Sequence, residues 1–297
     1  MTPPSTPHVV RRHADVCRIL ADPDYAVPTA EQSTESGTLA WLRATVSRFS
    51  NGPDHDRRRA QVEAVLSQIS PAGLRASAYE RARAELGGAA PEWSVAVLRD
   101  VPVAVLASAL GALGPEPALL GAVKAVSAGY LRRPTDEERR AADAGVECLL
   151  DQFGGDVSER SANVIALLIQ MAAPTGTVIA RAIEHAAQIG MGRWSVESLI
   201  SETLRYDSPA QSTRRMKPAG EEMLLDLAAA NRDGSVFSEP DRFEPGRPFE
   251  ASLAFGHGPR ACPGAEHALA LASGVVAAAV VRPWTLGSTA SCRPRGG

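Results

Sequence analysis

Helical periodicity dominates this 297-residue chain as far as residue 205. The apolar residues Val62, Val65, Leu66 and Ile69 follow the i, i+3, i+4, i+7 spacing of an amphipathic helix over residues 54–69, and the opposite side is charged. Similar patterns between Gly, Pro or Asp breaks predict helices over residues 74–86, 95–110, 119–131, 135–153, 163–189 and 196–205. Strand signals are limited to residues 8–11 and 223–227. The sequence therefore predicts a mainly α fold with small β elements.

The composition excludes several classes of protein. With 44% hydrophobic and 22% charged residues, the chain is typical of a soluble globular protein. A net charge of −3 disfavours a nucleic-acid partner. The apolar stretches at residues 101–113 and 268–281 are shorter than the roughly 18 residues that cross a bilayer, so we expect no membrane span. The first residues, MTPPSTPHVVRR, lack the features of a signal peptide, which predicts a cytoplasmic protein.

The chain shows no internal repeat and no low-complexity linker, which predicts a single domain over residues 1–297. Its ends, residues 1–7 and 288–297, are expected to be disordered. Residues 228–264 are rich in Pro, Gly, Asp and Arg and are too many for an ordinary connection. Because long loops in compact domains usually carry function, we expect the site to involve this segment.

The loop ends in the sequence FGHGPRACPG, residues 255–264, and a helical pattern follows it. Pro263 suits the first position of a helix, so the sequence predicts Cys262 at the N-cap, with its sulfur facing the N–H groups of Gly264 and Ala265. The helix dipole would then lower the thiol pKa and favour the thiolate. The alternatives are an inert cysteine and a dinucleotide fingerprint, but no strand precedes the glycines and Val281 stands where an acid is needed.

This loop resembles the cysteine-ligand loop of the cytochrome P450 superfamily, F-G-x-G-x-[HR]-x-C-x-G. The matching residues include Phe255, Gly256, Arg260, Cys262 and Gly264. Upstream, the sequence from Glu202 to Arg205 resembles the E-x-x-R helix of the family, and Arg242 in Pro-Asp-Arg-Phe resembles the arginine that contacts that pair. The resemblance implies a shortened P450-like helical fold, haem b as cofactor and Cys262 as the ligand of its iron.

The resemblance also implies partners for the haem propionates. His55 and Arg59 are i, i+4 neighbours on one helix face, and they match the family helix that reaches these carboxylates. Arg260 is a third candidate, and either Arg214 or Arg215 is a fourth. The alternative for the helix is a solvated basic face, because residues 57–59 are consecutive arginines.

The central helix departs from the family pattern. Ala173 and Thr177 match the catalytic positions of its [AG]-G-x-[DE]-T-[ST] motif, but Gly176 replaces the acid. Half of the usual acid-alcohol pair is therefore absent, which puts the usual proton delivery in doubt. Pro174 removes an N–H inside the predicted helix, so we expect a kink or break there. Two helices that meet at this proline are the alternative.

Length is a second departure. After Arg215 the chain lacks residues for the usual strand hairpin, and after Trp284 it lacks most of the C-terminal strands that help to wall the substrate pocket. The resemblance implies a shortened member in which substrate lies near Ala173, Thr177 and the loop at residues 27–50.

The function implied is that of a haem-thiolate monooxygenase or oxidase acting on a small organic substrate. Arginine far outnumbers lysine in a chain rich in Ala and Gly, which is typical of GC-rich bacterial coding and favours secondary metabolism. Family members usually receive electrons from a ferredoxin or reductase, whereas the missing acid favours peroxide-driven or non-oxygenating chemistry. The alternative is a catalytically inactive P450-like helper that activates a partner enzyme such as a glycosyltransferase. A hydrolase has no supporting motif.

Overall fold

A computed structural model of the chain describes residues 8–33, 35–87 and 95–280. The mainly α fold is confirmed. The helices are α1 (His13–Ala21), α2 (Leu39–Thr45), α3 (Gly52–Leu66), α4 (Pro71–Gly87), α5 (Val95–Ala109), α6 (Glu116–Tyr130), α7 (Asp136–Gln152), α8 (Glu159–Ile189), α9 (Val196–Tyr206), α10 (Leu227–Ala230) and α11 (Ala265–Val280). The strands are β1 (His8–Val10), β2 (Ser212–Met216) and β3 (Glu222–Asp226).

Side-chain caps explain where several predicted helices begin. Thr135 and Glu138 form a capping box at the start of α7. The hydroxyls of Ser158 and Ser195 accept backbone N–H groups at the starts of α8 and α9. These caps satisfy N–H groups that the first helical turn leaves without partners.

Helix α8 lies at the centre of the main hydrophobic core. Its buried side chains include Ile165, Leu168 and Ile179, and α3, α5, α6, α9 and α11 pack around it. By length and hydropathy α8 is also able to cross a membrane, which sequence inspection missed, but 56% of its most apolar window is buried inside the protein. A central core helix passes the same test, so this is weak evidence for a membrane span.

Pro174 lies inside α8, and the helix continues without interruption from Glu159 to Ile189. The expected break is therefore wrong, and so is the alternative of two helices. A proline in a helix interior costs about 3 kcal/mol because it removes an N–H and crowds the carbonyl four residues earlier. Both halves of α8 bury apolar residues in the same core, and this packing outweighs the local cost.

The strands form one sheet in the order β1-β3-β2, with β1 parallel and β2 antiparallel to β3. A turn at residues 217–221 joins β2 directly to β3, so a minimal hairpin is present where the sequence predicted too few residues for the usual one. Val10, Met223 and Leu225 pack with α1 in a second, smaller core. The predicted disorder of residues 1–7 and 288–297 lies outside the described residues, as does Trp284.

Candidate cofactor site

The loop before α11 folds back on itself through short backbone hydrogen bonds. The N–H of Cys262 donates to the carbonyl of Phe255 over 2.8 Å, and that of Ala261 donates to Gly258 over 3.0 Å. Gly256 and Gly258 have φ values of +76° and +69°, a region that side chains disfavour. A Cβ at Gly258 would lie 2.8 Å from the backbone of Ala21, so this glycine also permits close packing on α1.

Helix α11 begins later than the sequence predicted. It starts at Ala265, and the N–H of Ala268 donates to the carbonyl of Gly264, so Gly264 occupies the N-cap position. The assignment of Cys262 to the N-cap is therefore wrong by two residues, because residues 262–264 form a turn before the helix. The Gly264 N–H nevertheless donates to the Cys262 sulfur, as expected.

The expected low pKa of the Cys262 thiol is also wrong. Burial raises this pKa above its ordinary value, and the Gly264 N–H and the positive charges of Arg59 and Arg48 lower it by less. The Cys262 side chain is nevertheless exposed to solvent. Cys262 is therefore partly enclosed by protein but open to solvent.

Arg215 on β2 is a buried cation close enough to Arg260 of the cysteine loop for their charges to interact. It is 5% exposed, and burial, together with the charges of Arg260 and Arg48, lowers its pKa to about 10. Its guanidinium donates to the Thr213 hydroxyl and to the Arg214 carbonyl, and it forms no ion pair with an acid among the described residues. Arg214 is exposed and pairs with Glu222 across the hairpin. Of the two alternatives, Arg215 is therefore the residue whose charge interacts with those of Arg260 and Arg48.

Arg260 and Arg59 connect the cysteine loop to the segment around α3. Arg260 donates to the Ser50 carbonyl and to Asn51 Oδ1 over 2.8 and 2.9 Å. Arg59 donates to the Ala261 carbonyl over 2.7 Å and pairs with Glu63. Burial lowers the pKa of Arg260, the nearby carboxylate of Asp56 raises it and the charge of Arg59 lowers it further. The structure brings both predicted arginines to the loop that carries Cys262.

His55 lies on the same helix, buried, with Nδ1 3.0 Å from the Asp56 carboxylate. Burial is the main reason that its pKa is lowered, although Asp56 raises it. Of the neighbouring arginines, Arg58 is held by Glu159, and the largely exposed Arg57 binds Glu159 as well. The alternative of a solvated basic face therefore applies to Arg57 and not to His55.

A buried ion pair supports the site from α9. Glu202 and Arg205 are both 2% exposed, and the Arg205 guanidinium donates to both carboxylate oxygens of Glu202. The predicted contact of the Arg242 guanidinium with this pair is wrong. That guanidinium is 62% exposed and pairs with Glu239 and Glu244, and only the Arg242 carbonyl meets Arg205.

Arg247, which sequence inspection missed, approaches the pair instead. Its Nε lies 3.4 Å from the Glu202 carboxylate, and its side chain is 14% exposed. A turn at residues 245 and 246 precedes this arginine, whose side chain approaches Glu202 of α9, whereas the Arg242 side chain extends toward solvent.

On α8, the Thr177 hydroxyl donates to the Ala173 carbonyl over 2.9 Å. Gln170, one turn earlier, accepts a long 3.5 Å hydrogen bond from Arg48. Arg48 precedes Phe49 in a short 3-10 turn, and its charge reaches both Cys262 and Arg215. Arg48 therefore connects the exposed face of α8 with the cysteine loop, and no sequence pattern singled it out.

These residues fit a haem group. Cys262 offers one soft sulfur that is open to solvent, and Arg215, a buried guanidinium without an acid partner in the described part of the chain, is suited to a carboxylate. The described residues contain no cluster of three His, Cys, Asp or Glu side chains that would hold a bare metal ion. A porphyrin iron needs only one axial thiolate from the protein, and its propionates need cations.

Comparisons with known proteins find cytochrome P450s. Residues 196–273 match the family model of cytochrome P450. The chain is 25% identical to the vitamin D(3) 25-hydroxylase of Pseudonocardia autotrophica over 87% of this chain and 76% of that protein. It is 41% identical to the 20-oxo-5-O-mycaminosyltylactone 23-monooxygenase of Streptomyces fradiae over 22% of this chain and 18% of that protein. The crystal structure of P450BioI with an acyl carrier protein has a TM-score of 0.73, 20% identity, and coverage of 92% of this chain and 84% of that one.

Fold, cysteine loop and relatives together define a haem-type oxidoreductase of bacterial metabolism. The matched segment, the relatives and the solved structures all support a member of the cytochrome P450 superfamily that is shorter than typical members. Membership implies a haem iron cofactor and a small-molecule substrate.

Proposed function

We propose that this chain is a cytoplasmic haem-thiolate monooxygenase or oxidase that binds haem b through Cys262 and oxidises a small organic substrate in bacterial secondary metabolism. The observation that carries the proposal is the exposed Cys262 in a loop held by Arg59, together with the buried guanidinium of Arg215, which has no acid partner among the described residues. The relative from Streptomyces fradiae, whose name describes oxidation of a glycosylated lactone, supports the substrate class. Haem bound there would supply an iron centre able to oxidise an organic molecule.

The protein residues would first orient the cofactor. Arg215, Arg260 and Arg59 would donate to the two propionates, and His55 would do so through Nε2, since its Nδ1 faces Asp56. Phe255 and Gly256 would shape the loop below the ring, and the Gly264 N–H would share the negative charge of the Cys262 sulfur. Burial disfavours a free thiolate at this position, so the sulfur would lose its proton when iron binds.

The chain offers little for proton delivery. The Thr177 hydroxyl uses its proton in the bond to Ala173, which leaves its lone pairs free to accept a hydrogen bond from substrate or water. Gly176 brings no carboxyl group. Hydrogen peroxide carries both the oxygen and the protons of the oxidant. A peroxide-driven reaction therefore needs fewer proton-delivering residues on this helix than a reaction of dioxygen with electrons from a ferredoxin or reductase. We therefore favour peroxide or a non-oxygenating reaction at this site.

Haem content tests the proposal against the helper alternative. The protein is expressed with a haem precursor, purified, and its haem-to-protein ratio is measured. We expect equimolar haem in the natural chain and in Cys148→Ala, a half-buried thiol on α7 that serves as the control. We expect Cys262→Ala to lose most of it. A folded chain without haem would overturn the proposal and favour the helper.

A further inference from the structure

Two arginines share one aromatic ring beside α8. The guanidinium carbons of Arg43 and Arg48 lie 5.1 and 6.0 Å from the centre of the Phe49 ring. The Tyr130 ring at the end of α6 lies 5.3 Å from that of Phe49. We call these four residues the Phe49 cluster. It joins the segment at residues 43–49 to α6.

The cluster leaves polar groups without partners. Tyr130 is 1% exposed, and its hydroxyl has no hydrogen-bond partner among the described residues. The Nε of Arg43 is also buried and has none there. Neither arginine forms an ion pair with a described acid, and the exposed Arg48 makes a long bond to Gln170. Buried polar groups are nearly always satisfied in native proteins, so the Tyr130 hydroxyl and the Arg43 Nε point to a bound group.

The chemistry of the cluster specifies the charge of that group. Burial raises the pKa of Tyr130, although the charges of Arg48 and Arg43 lower it by less, so the hydroxyl stays protonated and is able to donate. Two guanidinium groups and a hydroxyl then supply donors at one ring, and no described acid pairs with either arginine. Two like charges at one ring repel each other, and an anion between them would relieve this repulsion.

The position of the cluster suggests which molecule carries the anion. Gln170, the partner of Arg48, precedes Ala173 by three residues on α8, and the charge of Arg48 reaches Cys262. A ligand held by the cluster would therefore lie near Gln170 and Ala173 on α8, where the proposed function places the substrate. The propionates have their own cations in Arg215, Arg260 and Arg59.

We propose that Arg43, Arg48 and Tyr130 form a subsite for a carboxylate of the substrate, so that the enzyme acts on an organic acid. The inference rests on the proposed function for the location of the substrate. It adds specificity for an acid.

Matched ligand pairs test the subsite. Binding of decanoate and decanol, and of benzoate and benzamide, is measured by calorimetry on the haem-loaded protein. We expect at least one carboxylate to bind about 10-fold or more tightly than its neutral partner, because hydrogen bonds to charged groups contribute about 1.5–3 kcal/mol. Arg48→Gln and Tyr130→Phe should each remove most of this preference. Arg140→Gln, at an exposed arginine of α7, should preserve it.

Each contrary result is informative. Equal affinity for acid and neutral ligand, no binding of either carboxylate, or a preference that survives both variants would overturn the subsite. Loss of haem in Arg48→Gln, with the ligand preference unchanged, would assign the cluster to a propionate and overturn it as well. If the natural chain takes up no haem, the proposed function fails, while the same calorimetry on the haem-free protein still tests the preference for an acid.

Discussion

Two buried arginines differ in whether the folded chain neutralises their charge. The charge and the donor groups of Arg205 are satisfied, since it donates to Glu202 and to backbone carbonyls of the loop at residues 231–242. Arg215 is equally buried but has no acid partner in the described part of the chain. A satisfied buried charge stabilises one arrangement of the fold, whereas an unsatisfied one costs free energy until a ligand supplies the opposite charge.

The two arginines near Glu202 give a direct test of the side-chain assignment. Arg247→Ala should lower the free energy of unfolding by about 1–3 kcal/mol, because it removes a nearly buried cation from a buried carboxylate. Arg242→Ala should change it by less than about 0.5 kcal/mol, since its pairs with Glu239 and Glu244 are exposed. Urea unfolding measures both. A larger loss in Arg242→Ala would contradict the observed arrangement.

His185 predicts how stability depends on pH. Its ring stacks on that of Phe243 with centroids 4.0 Å apart, and burial lowers its pKa below the ordinary 6.5, although the nearby acids Asp207 and Glu184 raise it. The unfolded chain then binds more protons than the folded chain between these two pKa values. Stability should therefore fall as the pH falls from about 6.5 through the folded pKa.

Urea unfolding of the natural chain and of His185→Phe at pH 7.5 and pH 5.5 measures this effect. The substitution keeps the stacking on Phe243, and His55 is present in both proteins, so its contribution cancels. We expect the variant to lose less stability at the lower pH. An identical loss in both proteins would show that His185 titrates normally in the folded chain.

At the scale of elements, the contact between α4 and α11 fixes the base of the cysteine loop. A Cβ at Gly274 in α11 would lie 2.3 Å from the Arg75 carbonyl in α4. The two helices approach this closely because Gly274 has no side chain. Helix α11 begins three residues after Cys262, so its position limits where the sulfur lies.

Gly274→Ala should therefore lower the free energy of unfolding by about 1–3 kcal/mol, because the backbone must move apart. Gly121→Ala is the matched control. Gly121 is an exposed glycine in the middle of α6 with open space around it, and alanine there should stabilise the protein by about 0.5–1 kcal/mol. Thermal unfolding reports both. A stabilising Gly274→Ala would show that the helices are less tightly packed.

The helices were predictable from sequence because each carries a local apolar period and a clear break. The direction of the Cys262 pKa shift was not predictable from sequence. Burial by the folded protein raises this pKa, and it outweighs the local N–H contact of Gly264. The contact of Arg247 with Glu202 was not predictable for a similar reason, because it depends on the backbone turn that precedes Arg247. Arg48 and Tyr130 are far apart in the chain, and only the packing of Phe49 brings them together.

At the scale of the whole molecule, the candidate site combines residues of α8, the cysteine loop and the small sheet. The middle of α8 carries Ala173 and Thr177, and Arg48 bonds to Gln170 one turn earlier. The small sheet contributes Arg215, whose charge interacts with Arg260 and Arg48. The candidate site therefore combines segments more than 200 residues apart in the chain.

The central claim is that Cys262 binds haem iron, and the visible spectrum of the reduced carbonyl complex tests it most directly. The account predicts the red-shifted Soret band typical of thiolate ligation in the natural chain and its loss in Cys262→Ala. A Soret band typical of histidine-ligated haem, or a red-shifted band that persists in Cys262→Ala, would contradict it.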